Sequence, residues 1–240
     1  AYFSNQSAMQ QYSPLASKRT RMDSLWNVQQ NILKNGILGW QYVYKPDKTF
    51  VQFHDINLQT NPAEIKKLSI SDFDGKNLPV KIFECINLEE LELVNTRIAK
   101  IPKRLNRLKK LRSVELYNNR PAKRLRLSKN AHITFLKVRS DRPGKTPTNY
   151  RKFKALDSLD LSRNFLTEFP IIDKNTHLRQ LVLSENNLTL EHLTVKPNED
   201  LQALFLRKNK IQVVPSEIGQ LKALKKLSLN FNEIVSMEDG

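Results

Sequence analysis

The sequence predicts a solenoid of the α/β class, in which about eight copies of one unit share a parallel sheet. Three observations predict it. The pattern LxxLxLxxNxL recurs from Ile65 towards the end of the chain, successive copies start 22 or 23 residues apart, and proline stands at the fifteenth position of five copies.

Two segments precede the repeats. Residues 1–17 are polar, rich in Gln and Ser, and read as a flexible segment. Without an initiator Met or a basic-then-apolar leader, this start resembles that of a mature exported bacterial protein. It favours an exported or cell-envelope location in a bacterium over the cytoplasm. Residues 18–64 are expected to cap the first repeat. Asp23 or Ser24 can start a helix that carries Leu25, Val28 and Ile32 on one face and stops at Asn35-Gly36. The alternating runs WQYVY (40–44) and TFVQF (49–53), joined by KPDK, read as a β-hairpin. The competing reading makes residues 18–60 a small independent domain.

The repeats occupy residues 65–240 and begin at Ile65, Leu88, Leu111, Ile133, Leu156, Leu178, Leu201 and Leu224. Their first, fourth and sixth positions are apolar and point inward, because side chains alternate along a strand. Asn119, Asn164, Asn186, Asn209 and Asn232 fill the ninth position, where a side-chain amide can satisfy the backbone of a tight turn and stack into a ladder. Phe73, Thr96 and Asp141 stand there in the other copies. Pro79, Pro102, Pro147, Pro170 and Pro215 fix φ where the chain leaves the strand side. Apolar pairs then line the returning arm, such as Ile82 with Cys85, Leu105 with Leu108, and Ile218 with Leu221. One unit cannot bury its own apolar face, but a stack of units makes a continuous core. The third and fourth copies depart most. Arg124 and Thr146 stand at the apolar fourteenth position, and SDRPGKTPTNY (140–150) is turn-rich, so a thinner core and longer loops are expected.

Residues 65–237 resemble the leucine-rich-repeat family in its 23-residue LPxxIxxLxxL form, found in bacteria and in intracellular scaffolds. The match is best at VVPSEIGQLKAL (213–224) and IPKRLNRLKKL (101–111). The resemblance implies a curved horseshoe with the parallel sheet on its concave side, irregular or short helical segments outside, and a protein-binding role without catalysis. No cysteine cluster flanks the repeats, which argues against an animal cell-surface receptor of the family. The eighth copy runs almost to Gly240 with no cap, which implies either a truncated chain or an oligomer contact over the last repeat.

Charge is concentrated. The net charge is +16, yet residues 97–129 hold thirteen Lys and Arg against Glu115, and residues 130–154 hold seven against Asp141. Those stretches sum to +18, so the remainder is nearly neutral, and the basicity is a local patch that speaks to partners.

Two surfaces follow from the register. The third, fifth and seventh positions point outward from the sheet, and eight strands about 4.8 Å apart make a face on the order of 35 Å long, enough for a protein partner. On it, Tyr117, Phe135, Arg139, Asp160, Phe205 and Arg207 are expected to contact a protein partner, since aromatic and Arg side chains anchor interfaces. The alternative function uses a flank. Lys103, Arg104, Arg107, Lys109 and Lys110 lie on a returning arm, with Lys123, Arg124 and Arg126 near the turn after the next strand. They suit a polyanion: nucleic acid, glycan or anionic lipid. A third reading makes the chain the recognition part of a larger enzyme.

No catalytic constellation emerges, and neither a cofactor nor a metal is expected. Gly144-Lys145-Thr146 lacks the earlier glycine of a phosphate-binding loop, since position 139 is Arg. His54, His132, His177 and His192 are scattered without partners at metal-ligand spacing. Cys85, the only cysteine, reads as a small buried hydrophobe. No run of eighteen apolar residues exists to span a membrane as a helix.

Overall fold

The computed structural model describes residues 50–53, 61–119, 126–140, 149–171, 177–191, 193 and 199–238. The chain divides into two compact units, 1–50 and 51–240. The expected capping helix and the first run of the hairpin lie outside the described residues, as do Gly144-Lys145-Thr146, His54 and His192.

In chain order the first seven strands are β1 (Val51–Gln52), β2 (Lys67–Ser71), β3 (Glu90–Val94), β4 (Lys100–Ile101), β5 (Ser113–Tyr117), β6 (Arg126–Leu127) and β7 (Phe135–Arg139). The remaining six are β8 (Ser158–Asp160), β9 (Gln180–Val182), β10 (Ala203–Phe205), β11 (Val213–Val214), β12 (Lys226–Ser228) and β13 (Ser236–Met237). Nine of them form one parallel sheet in the order β1-β2-β3-β5-β7-β8-β9-β10-β12, and two small pairs, β4-β6 and β11-β13, lie on the arms.

Each of the eight copies contributes one strand, and the third position of each repeat pairs with the third of the next. Lys67 pairs with Glu90, Glu90 with Ser113, Ser113 with Phe135 and Phe135 with Ser158. The series continues through Gln180 and Ala203 to Lys226. A one-residue slip would move every apolar side chain to the wrong face, and this cost holds the register. β1, from the second run of the expected hairpin, pairs in parallel with β2.

The core is the inward stripe. The fourth positions Leu68, Leu91, Val114, Leu136, Leu159, Leu181 and Leu204 are fully buried, in one continuous cluster with first and sixth positions such as Leu88 and Leu93. In repeat eight, at the sheet edge, Leu227 is exposed and Leu229 only partly buried. Turns after the strands are periodic too. Asp72, Asn95, Asn118, Arg163, Glu185, Lys208 and Phe231 all hold the eighth position of their repeat, each with a φ between 49° and 60°.

The ninth position then ties neighbours together. Asn186 Nδ2 donates to the carbonyls of Leu161 (3.0 Å) and Leu183 (2.8 Å), and its Oδ1 accepts from the backbone N–H of Asn164 and of Leu166. Asn232 repeats this geometry on Leu206, Leu229, Asn209 and Ile211. In repeat two, Thr96 donates its hydroxyl to Asn119 Oδ1 instead. At the repeat four–five junction the acceptor side of the ladder breaks: Asn164 Oδ1 is buried without a hydrogen-bond partner among the described residues, while its Nδ2 still donates to the Val138 carbonyl.

The described returning arms are 3₁₀ turns. Pro79, Pro102 and Pro215 open Val80–Glu84, Lys103–Arg107 and Ser216–Gln220. Cys85, Leu108 and Leu221 close them by donating back to the carbonyls of Ile82, Leu105 and Ile218. With 22 or 23 residues per repeat, the arm has no length for a longer helix. Repeat three corrects one expectation. Leu127, not the residue at Arg124's position, pairs with Ile101 in the apolar slot. The chain spends three extra residues after β5 and recovers them with a shorter arm, so the core stays filled. Tyr150 and Phe153 fill it in repeat four.

Candidate functional site

The outward face of the sheet changes along its length. Across repeats one to three it is the most buried: Ser69, Glu92, Val94 and Tyr117 are buried, and Lys67, Ser71, Glu90, Ser113 and Glu115 half-buried. Tyr117 is only 4% exposed, which places it among packed residues of this face. It donates its hydroxyl to Glu115, and Lys137 lies over its ring at 5.3 Å. Lys137 also pairs with Glu115 at 3.3 Å. Phe135 and Arg139 sit half-buried on the same face, and Arg139 reaches Asp160 at 3.8 Å. Asp160 further accepts from the backbone and hydroxyl of Ser162. Two expected partner contacts are therefore engaged with each other.

Towards the C-terminal repeats the face opens. Phe205 and Arg207 remain partly exposed, and each is matched with a complementary group in the next repeat. The Lys226 ammonium lies 5.1 Å from the Phe205 ring, and the Arg207 guanidinium 4.5 Å from the Phe231 ring. Lys208 approaches Phe231 as well, at 6.0 Å. Such cation–aromatic pairs hold large side chains in place while leaving area free for contact. Phe231 is 68% exposed. Sequence reasoning missed it because only the third, fifth and seventh positions were counted as outward. The left-handed eighth position also lifts its side chain from the core, and its 22–23-residue recurrence was the available signal.

The flank on the returning arms is a second surface. Lys103, Arg104, Arg107, Lys109, Lys110 and Arg126 are all exposed, whereas Lys123 and Arg124 lie outside the described residues. Arg104 stacks over the Phe83 ring at 4.3 Å. Partial burial first, and then the charges of Lys109 and Arg112, push the His132 imidazole pKa below its usual value. Lys129, Lys152 and Lys154 extend this flank; their signal was the asparagines beside them, Asn106 and Asn130.

The remaining candidates carry structure. Cys85 is a free, fully buried thiol whose pKa burial pushes up to about 11, so it stays protonated and inert. His177 pairs with Asp200 at 3.0 Å on an exposed edge. Among the described residues, no group of three metal-ligating side chains forms, and no helix is long and apolar enough to cross a membrane.

No family model matches the chain. It is 29% identical over 153 residues to the human leucine-rich repeats and immunoglobulin-like domains protein 3, covering 62% of this chain and 14% of that protein. It is 30% identical over 181 residues to the volume-regulated anion channel subunit LRRC8E of Xenopus tropicalis, covering 71% of this chain and 22% of that protein. The chain thus spans a minor part of the length of these relatives. Among solved structures, human 5T4 (Wnt-activated inhibitory factor 1, trophoblast glycoprotein) superposes with a TM-score of 0.54 at 21% identity, covering 71% of each chain. Repeat period, strand register, asparagine ladder and these likenesses together show that this chain has the leucine-rich-repeat fold.

Proposed function

We propose that the chain is a non-catalytic protein-interaction module that seats a protein partner on the concave, outward face of its sheet, with the open end of that face as the anchor. The observation that carries this reading is the contrast along the face. Repeats one to three bury Ser69, Glu92, Val94 and Tyr117, while half-buried Phe205 and Arg207 and exposed Phe231 form an aromatic–cationic cluster in repeats seven and eight. Large aromatics and Arg supply contact area at small entropic cost and dominate measured interface energies. Phe135, Arg139 and Asp160 form the next part of the footprint, and Tyr117 supports it from beneath through Lys137. The cluster offers positive charge and ring faces, so it suits a partner surface with carboxylates around an apolar centre.

The test is identification of the captured partner by mass spectrometry, followed by calorimetric titration of the purified pair. Phe205→Ala with Arg207→Ala is expected to weaken binding at least about tenfold with an unchanged thermal midpoint. Undiminished affinity in that variant overturns the reading.

A further inference from the structure

The returning arms of repeats two to four carry a track of cations that the fold itself aligns. Asn106 donates to the Lys103 carbonyl at 2.8 Å and to the Lys129 carbonyl at 3.0 Å, and accepts from the Ala131 N–H at 2.9 Å. Lys103 of one arm and Lys129 of the next are therefore fixed side by side. Asn130 continues the stitching, with its N–H on the Lys152 carbonyl and its own carbonyl accepting from Lys154, both at 3.0 Å. A second row runs parallel, where Lys100 and Arg126 are register partners in β4 and β6. All these cationic side chains are exposed. Between residues 97 and 154 the only described carboxylate is that of Glu115, which faces the other side of the repeat, paired with Lys137. Positive charge on this flank is thus backbone-anchored, extended over successive arms and uncancelled by the described residues of that stretch.

The neighbouring chemistry narrows the ligand. The apolar residues of these arms, Leu105, Leu108, Leu127, Tyr150 and Phe153, are buried, so among the described residues nothing apolar projects from arms two to four to enter a bilayer. Exposed rings on which unpaired bases would stack are also lacking among the described residues of those arms. A stiff, regularly charged backbone needs neither. The three arms span on the order of 10 Å, over which duplex nucleic acid presents about six phosphates. Arg adds a planar fork for phosphate oxygens.

We propose that this flank is a binding site for the phosphate backbone of duplex nucleic acid, without sequence readout. The site is separate from the sheet face and does not depend on the reading given for it.

The experiment is fluorescence anisotropy of the full chain with a labelled duplex of about 20 base pairs and mixed sequence, between about 50 and 300 mM NaCl. Affinity is expected to fall with salt at a log–log slope equivalent to about six phosphate contacts. Arg104→Glu, Arg107→Glu and Lys129→Glu together should weaken binding about 100-fold at roughly 100 mM NaCl and lower the slope by about three. The matching Gln triple, gentler on folding, should weaken it about tenfold. Phe205→Ala with Arg207→Ala should leave it unchanged. On binding, the His132 pKa, followed by NMR, should rise as phosphates offset Lys109 and Arg112. Equal duplex affinity in the Glu and Gln triples and the parent chain overturns the proposal. So does tighter binding per charge to heparin, or to phosphatidylserine vesicles, than to the duplex.

Discussion

Repeats five to eight hold asparagine at the ninth position every time, in Asn164, Asn186, Asn209 and Asn232, whereas repeats one to four hold Phe73, Thr96, Asn119 and Asp141. The first group is bound through its turns by a ladder of side-chain amides. The second keeps the same strand register with only part of that ladder, and it re-registers an arm in repeat three to keep its core filled. Nearly all of the excess charge lies in the second group. The difference teaches that apolar burial sets the stacking, while the polar ladder adds stability on top of it. Repeats that relax the ladder remain in the solenoid and become free to carry a surface.

If that division is right, core truncation should cost the same in both halves. Leu136→Ala and Leu181→Ala, each removing a fully buried side chain, should each lower unfolding free energy by about 4 kcal/mol in urea titration. A cost in repeat four of less than half that in repeat six would show that the irregular half is loosely packed, and the comparison would fail.

The ladder should distinguish the halves where the core does not. Asn186→Ala removes two donated bonds and orphans the N–H groups of Asn164 and Leu166, so it should cost about 3 kcal/mol. Asn164→Ala removes donors to Val138 and Ser162, but its Oδ1 has no partner to lose, and it should cost about half as much. Equal losses in the two variants would mean that the break at repeat four is without energetic weight.

Much of this was legible in the sequence because the signals are periodic. The spacing of Leu88, Leu111, Ile133 and Leu156 dictates which residues become register partners, and the strands pair as that spacing requires. The prolines before the arms were readable for the same reason. What was hidden depends on contacts between repeats. Tyr117 shares its pattern position with Arg139 and Arg207, yet it is buried, bonded to Glu115 and covered on one ring face by Lys137, and no single-repeat template encodes a neighbour. Leu127 escaped because an insertion after β5 is invisible to a fixed offset. The basic track was readable as composition, but its alignment was not, since it rests on Asn106 and Asn130 reaching the next arm.

The turn geometry offers the smallest and most local test of the comparison. Lys208 sits at φ 54°, a left-handed conformation that costs an L-residue with a Cβ about 1–2 kcal/mol. Glycine removes that cost and gives back roughly half of it through the entropy of the unfolded chain. Lys208→Gly should therefore stabilise the protein by about 0.5–1 kcal/mol, less the weak contact to Phe231. Ser140 holds the equivalent place in repeat four and does not take a positive φ. There glycine relieves nothing, loosens the unfolded chain and removes a buried hydroxyl, so Ser140→Gly should destabilise by at least about 0.5–1 kcal/mol. The two substitutions bring glycine to the same repeat position, and opposite signs in paired thermal melts would separate the regular half from the irregular one. The same sign in both would mean that the turn at Ser140 belongs with the others.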